Sequence, residues 1–282
     1  MLAVLLSLAA STAWGVADFF GGLFSRRLSA LSVLFVIEVG GLLGAGAIVL
    51  ASGDAFPDTR HAVIALGAGL AGVTALALFY TALSIGTMSI VAPLSATGAI
   101  VPVIVGVATG DRVTAFVVTG LSLALLGVVL AGREAGDPDH ADAASNRRAI
   151  YLALGAALGF GTFFVAYDTA ADASLGWAIL LARLPAIPIL GLVLWRRGLA
   201  VPRGRDLVRL VGVAQLDCIA TAFYAMAITR GALSVVAVVG SLYPVATVLL
   251  ARAVLKERLR RVQAVGVLTA LLGVALISVG SA

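Results

Sequence analysis

The sequence predicts an all-α integral membrane protein, ten transmembrane helices arranged as two inverted five-helix repeats. Three observations lead there: an excess of apolar residues, the length of the apolar runs, and a recurrence of the same residues about 146 positions apart. Of the 282 residues, 61% are hydrophobic and 12% charged, whereas soluble domains carry roughly a quarter charged residues. A globular core of this size could not hide so much apolar surface from water, so a second solvent, lipid, is implied. About 20 apolar residues cross the hydrocarbon layer as a helix, and only helices or closed barrels satisfy their backbone groups there. Continuous apolar runs exclude a barrel, whose strands would alternate polar and apolar residues.

The elements follow from alternation of these runs with short clusters of Arg, Asp, Gly and Pro. The first span covers 2–24. No Lys or Arg precedes it, so the basic n-region of a signal peptide is missing and a permanent helix is expected. Beyond Arg26-Arg27 the second covers 29–51, and beyond Asp54–Arg60 the third covers 61–83. Spans four and five, 88–109 and 113–131, are divided by Gly110-Asp111-Arg112. The longest polar stretch, 132–148 (GREAGDPDHADAASNRR), is expected to be a linker loop between one unit, 1–131, and another, 149–282. Spans six to ten then cover 149–168, 174–195, 207–228, 232–253 and 262–280.

Ten spans put both termini on one side. The odd-numbered loops hold Arg26, Arg27, Arg133, Arg147, Arg148, Arg196, Arg197, Arg203, Arg205, Arg209, Lys256, Arg258, Arg260 and Arg261, against Arg60, Arg112 and Arg230 in the even-numbered ones. The positive-inside rule makes the richer side cytoplasmic and turns the termini outward. The net charge of +5 is therefore a membrane-surface feature, with anionic headgroups rather than nucleic acid as the partner. Cys218 is the sole cysteine, so no intrachain disulfide forms.

The halves are related in sequence. LLGVVL at 125–130 matches LLGVAL at 271–276, and the same offset pairs Gly15 with Gly161, Gly120 with Gly266, and Asp111-Arg112 with Glu257-Arg258. Phe79-Tyr80 matches Phe223-Tyr224 at an offset of 144. Five spans is an odd number, so the second unit enters the membrane from the opposite side. Inverted repeats of this kind exchange inward- and outward-facing forms at similar energy and hold substrate between them, which favours a carrier.

The motifs resemble the drug/metabolite transporter superfamily, specifically its ten-span EamA-type carriers. Trp14-Gly15 is similar to that family's Trp-Gly signature. Pro244-Val245, Leu255-Lys256-Glu257-Arg258-Leu259, Gly266 and Leu272-Gly273-Val274 resemble its closing pattern, and Gly110–Val113 with Pro102 is a weaker copy. The resemblance implies a secondary transporter of the cell membrane, moving amino acids, other metabolites or drugs. It also implies termini facing the cytoplasm, against the charge count.

Ionisable groups within a membrane cost about 2.5–3.5 kcal/mol at a helix centre on insertion scales and usually face a cavity or a partner. Asp18, Glu38, Arg183 and Asp217 are the four that stand out. Trp14 and Gly22 share a face with Asp18, which is a candidate for holding a substrate amine or a proton, or else a carboxylate at headgroup level. Glu38 and Arg183 occupy near-equivalent repeat positions, 145 apart, and form either an interhelical ion pair or the two poles of a zwitterion site. Asp217, followed on its face by Thr221 and Tyr224, is the most central acid; it is a second candidate proton carrier or an ion-pair partner of Arg183. Tyr80, Tyr224 and Tyr243 need hydrogen-bond partners if buried, which a polar cavity would supply. The expected substrate-binding set is thus Trp14, Asp18, Glu38, Tyr80, Arg183, Asp217, Tyr224 and Tyr243. Trp177 and Trp195 read as interfacial, and Phe160, Phe163 and Phe164 as packing. Pro93, Pro102, Pro185, Pro188 and Pro244 are expected to kink their helices. The Gly40-Gly41-Gly44 run allows close helix contact.

Other classes fit less well. Tyr167-Asp168 and Gly110-Asp111 superficially resemble an intramembrane aspartyl protease pair, but Asp111 is the repeat partner of loop residue Glu257. His61 and His140 both lie in expected loops, so no metal site, cofactor or catalytic group is expected. No channel filter is visible. The expectation is a monomeric or homodimeric carrier that exports or exchanges a small polar metabolite by alternating access, with proton coupling through Asp18 or Asp217; a multidrug exporter is the alternative within the superfamily.

Overall fold

The computed structural model describes residues 2–101, 104–105, 114–132, 140–228, 230, 239–240, 242–257 and 261–280. These form helices with no strand among them: α1 (Leu2–Ser25), α2 (Ala30–Ser52), α3 (Thr59–Ile85), α4 (Met88–Ala96), α5 (Ala115–Gly132), α6 (His140–Ala171), α7 (Leu175–Arg183), α8 (Ala186–Arg197), α9 (Gly204–Ile228), α10 (Tyr243–Val254) and α11 (Arg261–Gly280). Among the described residues, six segments are long and apolar enough to cross a bilayer: α1, α2, α3, 145–171 of α6, α7 joined to α8, and α9. Two shorter apolar helices, Tyr243–Val254 and Ala264–Gly273, accompany them. The molecule is a multi-pass helical membrane protein. Parts of the expected spans 88–109 and 232–253 lie outside the described residues, as do Pro102, Asp111, Arg112, Arg133, Arg258 and Arg260.

Two expected boundaries differ. The helix drawn from 149 begins at His140, so the end of the polar stretch is helical rather than loop. The span drawn as continuous over 174–195 is interrupted at Leu184-Pro185. Proline has no N–H to donate and clashes with the preceding turn; Leu184 N–H reaches back only to the Leu181 carbonyl at 3.3 Å, a tighter turn than the α-helical one.

Helix pairings repeat between the halves. If α1, α2, α3, α4 and α5 are exchanged with α6, α7, α9, α10 and α11, contact α1·α9 becomes α6·α3, α2·α9 becomes α7·α3, and α1·α10 becomes α6·α4, and every one of these contacts exists. The pairs α2·α7, α4·α10 and α5·α11 map onto themselves, and they exist too. Glycines at matched positions make two of the crossings. A Cβ at Gly15 would collide with the Tyr243 carbonyl, and one at Gly161 with the Gly98 carbonyl. Small residues allow such backbone approach where no hydrophobic effect drives helices together.

The connections fall on two faces. On one, the Arg26 guanidinium donates to the Gly86 carbonyl and to Glu257 (both 3.1 Å), while Ser145 Oγ donates to the Ile85 carbonyl. On the other, Ser174 Oγ donates to Asp54 and Trp177 Nε1 to the Asp54 carbonyl. Trp177 also meets Phe56 edge-on, and Trp195 is 78% exposed. At the end of α10, Lys256 adopts φ 56°, the left-handed conformation that glycine accepts more readily. This turn delivers Glu257 to the N-terminus of α4, where its carboxylate accepts from Met88 N–H (3.1 Å) and Ser89 N–H (2.9 Å).

Candidate functional site

Seven helices surround a cavity of about 120 Å³. α1 contributes Trp14 and Asp18, one turn apart on a single face, and α2 contributes Glu38. Arg183 enters from the last residue of α7, beside the break in that span. α9 supplies Asp217, Thr221 and Tyr224 at i, i+4 and i+7, and α10 supplies Tyr243 at its first residue. Besides Ala182, the rest of the wall is two further stripes, each spaced i, i+3, i+4, i+7. They are Gly69, Gly72, Val73 and Leu76 on α3, and Phe160, Phe163, Phe164 and Tyr167 on α6.

The charged groups are organised around Arg183. Its guanidinium lies 2.5 Å from Asp217 Oδ2 and 3.5 Å from Glu38 Oε2. Arg183 and Glu38 are 8% and 4% exposed, so this is an interior ion cluster joining α2, α7 and α9. The guanidinium lies flat against α2 because residue 41 is glycine; a Cβ there would fall 2.6 Å from Arg183 Cζ. Nearby, Gln215 Nε2 donates to the Gly40 carbonyl at 2.8 Å, fixing α9 to α2. On the α1 side Thr247 Oγ1 donates to the Gly15 carbonyl at 2.9 Å, fixing α10. Asp18 makes no hydrogen bond or ion pair among the described residues. Among the described residues the cavity therefore presents three carboxyl groups and one guanidinium, with one carboxyl unattached.

Of the eight residues singled out from sequence, seven line this cavity: Trp14, Asp18, Glu38, Arg183, Asp217, Tyr224 and Tyr243. Tyr80 does not. It is 2% exposed, and its ring fills the space left by Gly21. Phe160, Phe163 and Phe164, expected to be packing residues, lie on the cavity wall, as does Tyr167. Their spacing, i, i+3, i+4, i+7, was the available signal. Asp168 is exposed and outside the cavity, which separates it from Tyr167 and removes half of the protease-like resemblance; Asp111 lies outside the described residues. Among the described residues no cluster could hold a metal ion.

The molecule is a polytopic helical membrane protein with an ionisable cavity lined by residues of both halves. The chain belongs to the EamA-like transporter family, whose model matches residues 1–133 and again residues 147–279. A crystal structure of a protein, 17% identical, shares the fold with a TM-score of 0.68 over 98% of this chain and 97% of that one. No curated protein matches.

Proposed function

We propose that the protein is a ten-span secondary transporter of the cell membrane, carrying a small polar metabolite by alternating access in export or exchange. The single observation that supports this most is the cavity itself. It is walled by both halves, and it contains an arginine shared by two acids plus a third acid without a partner. A structural ion pair would need one acid. Buried charge beyond that is costly to keep and is expected where ions or solutes are moved.

In this reading the repeats are 1–131 and 149–282, the stretch between them a connection, and Trp14, Glu38, Tyr224 and Tyr243 contact the solute together with the ion cluster. Of the two proton-carrying candidates, Asp18 is favoured over Asp217, whose charge Arg183 already compensates. Asp217 from α9, Tyr243 from α10, Glu38 and Arg183 line the same cavity as Asp18, and Tyr80 packs from α3 against Gly21, three residues from Asp18 on α1. The charge count favours termini on the outer side. Purified protein in liposomes, first screened by thermal shift against amino acids, nucleosides, sugars and cationic amines, tests the proposal. Counterflow of a stabilising solute is expected, with net flux driven by an imposed pH gradient. Flux indifferent to the gradient and intact in both Asp18→Asn and Asp217→Asn would refute the proton role.

A further inference from the structure

The turn between α8 and α9 holds more positive charge than the bundle uses. Arg196 and Arg197 end α8, Arg203 precedes α9, and Arg205 and Arg209 lie in its first two turns; all five are exposed. Asp206 is the one acid among residues 196–209, so this stretch is net +4 in a chain of net +5. Arg209 reaches Asp206 at 3.8 Å, and the other four arginines make no ion pair or side-chain hydrogen bond among the described residues. Gly176 meets Val49 and Gly191 meets Phe35, so the α7–α8 span runs antiparallel to α2 and ends at the level of the α1–α2 turn. There the arginines are engaged internally: Arg26 on Glu257 and the Gly86 carbonyl, Arg27 over the Phe24 ring at 5.2 Å.

Two plainer accounts of the basic turn fall short. Arg196 and Arg197 suit a helix C-terminus, but Arg203 and Arg205 stand at the start of α9, where the helix dipole disfavours cations. Nor does the fold require the charge, since the matching turn of the first half, between α2 and α3, holds Asp54 and Asp58 with a single arginine, Arg60. The turn is also a fixed frame. Gly198 and Gly204 take the left-handed conformation (φ 62° and 59°), Leu199 N–H donates to the Leu194 carbonyl at 2.9 Å, and Pro202 is buried. Next to it, Leu192 and Trp195 on α8 and Val208 and Val211 on α9 are exposed apolar side chains.

We propose that this turn is the headgroup site of an anionic phospholipid, its phosphate held among Arg196, Arg197, Arg203 and Arg205 and its acyl chains laid along the exposed apolar side chains of α8 and α9. Clustered arginines beside a span attract anionic lipid, and a guanidinium can pair two phosphate oxygens at once. Tryptophan, with an apolar ring and one N–H, suits headgroup depth. A soluble phosphate compound would engage the arginines and leave the apolar border unused; a lipid uses both. The bound lipid braces α8, which follows the break at Leu184-Pro185, against α9, which carries Asp217. The site is separate from the cavity and independent of its cargo.

Native mass spectrometry of the purified full-length chain in detergent tests this, with dioleoyl phosphatidylglycerol and dioleoyl phosphatidylcholine titrated in parallel and melting temperature followed for each. Phosphatidylglycerol should bind saturably and about tenfold or more tighter than phosphatidylcholine, and should raise the melting temperature by an amount that shrinks in 1 M salt, roughly. Replacing Arg203 and Arg205 together by Gln should weaken it by roughly fivefold per arginine, and adding Arg196→Gln and Arg197→Gln should abolish the preference. The pair Arg147→Gln and Arg148→Gln removes two exposed arginines from the face where Ser145 meets Ile85 and should change nothing. Equal binding of the two lipids overturns the proposal. So does an equal loss in the Arg147/Arg148 pair, which would reduce the effect to general surface charge. An unchanged preference in an Arg203/Arg205 variant that melts normally, or glycerol phosphate binding as tightly as the lipid, overturns it as well.

Discussion

Arg26 and Glu257 meet at 3.1 Å across 231 residues of chain, tying the α1–α2 turn to the α10–α11 turn. The same carboxylate accepts from two N–H groups at the start of α4, so it acts as a cap supplied from the other half of the molecule. Thr87, the residue in the capping position, makes no such bond itself.

Glu257→Ala should therefore lower thermal stability in detergent by about 1–2 kcal/mol, the range of a lost helix cap. Glu257→Gln should recover part of it. Lys256→Gly should raise stability by roughly 1 kcal/mol, because the left-handed conformation there costs a side chain about that much. A Lys256→Gly protein that melts lower than the parent would show that the lysine side chain contributes more than its backbone costs.

Arg183→Ala leaves Glu38 and Asp217 facing each other without a cation, an arrangement that typically costs 3–5 kcal/mol, roughly, when buried. Arg183→Leu combined with Asp217→Leu should restore much of that stability yet not transport. A double-mutant cycle on melting temperature and flux separates the two effects. Additive losses would mean the pair does not interact in the membrane.

Gly41 and Gly46 lie on the same helix and predict opposite results. A methyl at 41 must displace the Arg183 guanidinium, so Gly41→Ala should abolish solute binding while leaving helix content intact by circular dichroism. A methyl at 46 meets nothing within 4 Å, and Gly46→Ala should be neutral or stabilise by about 0.5–1 kcal/mol through helix propensity.

Phe56 lies on the face shared by Asp54 and Trp177, and Arg27 lies next to Arg26 on the other. In a Cys218→Ser background, Phe56→Cys should react with a membrane-impermeant maleimide added to intact cells, and Arg27→Cys should not. The inverse pattern would put the termini inside and set family precedent above charge bias.

Outside the membrane, Asp58 caps α3 by accepting from the His61 N–H at 3.1 Å, and this bond holds its carboxyl below the usual aspartate range. A lowered value means the cap is intact above the ordinary aspartate pKa and is lost as pH falls through the depressed one. Asp58→Ala should melt below the parent at neutral pH, and the two curves should converge in strong acid. A constant gap at all pH values would assign the effect to something other than this cap.

How much of this was legible in the sequence depends on which physical rule each residue obeys. Hydropathy locates helices because lipid enforces it, so the long spans were readable to within a few residues except at the start of α6, whose polar first turns begin at His140 rather than 149. Asp18, Glu38, Arg183 and Asp217 were readable because charge in an apolar run is rarely accidental. The aromatic wall was not, since Phe160 and Phe163 look alike whether they face lipid, a neighbour or a cavity. Tyr80 lies off the cavity for a related reason: repeat equivalence to Tyr224 carries no information about which copy lines the cavity, and Gly21 made room for Tyr80 elsewhere. The break at Leu184-Pro185 was written in Pro185, but its position beside Arg183 emerged only with the fold.

That break joins two roles at one point. The short helix ending in Arg183 and the one beginning at Ala186 are separate rods linked by Leu184-Pro185. Any bending of this span pivots within a residue or two of the charge that holds Glu38 and Asp217. Neutralising or recruiting one of those acids would slacken a tether anchored at the joint itself. Occupancy of the cavity would thus act on the pivot with almost no lever arm between them, a mechanical economy that a straight helix could not provide.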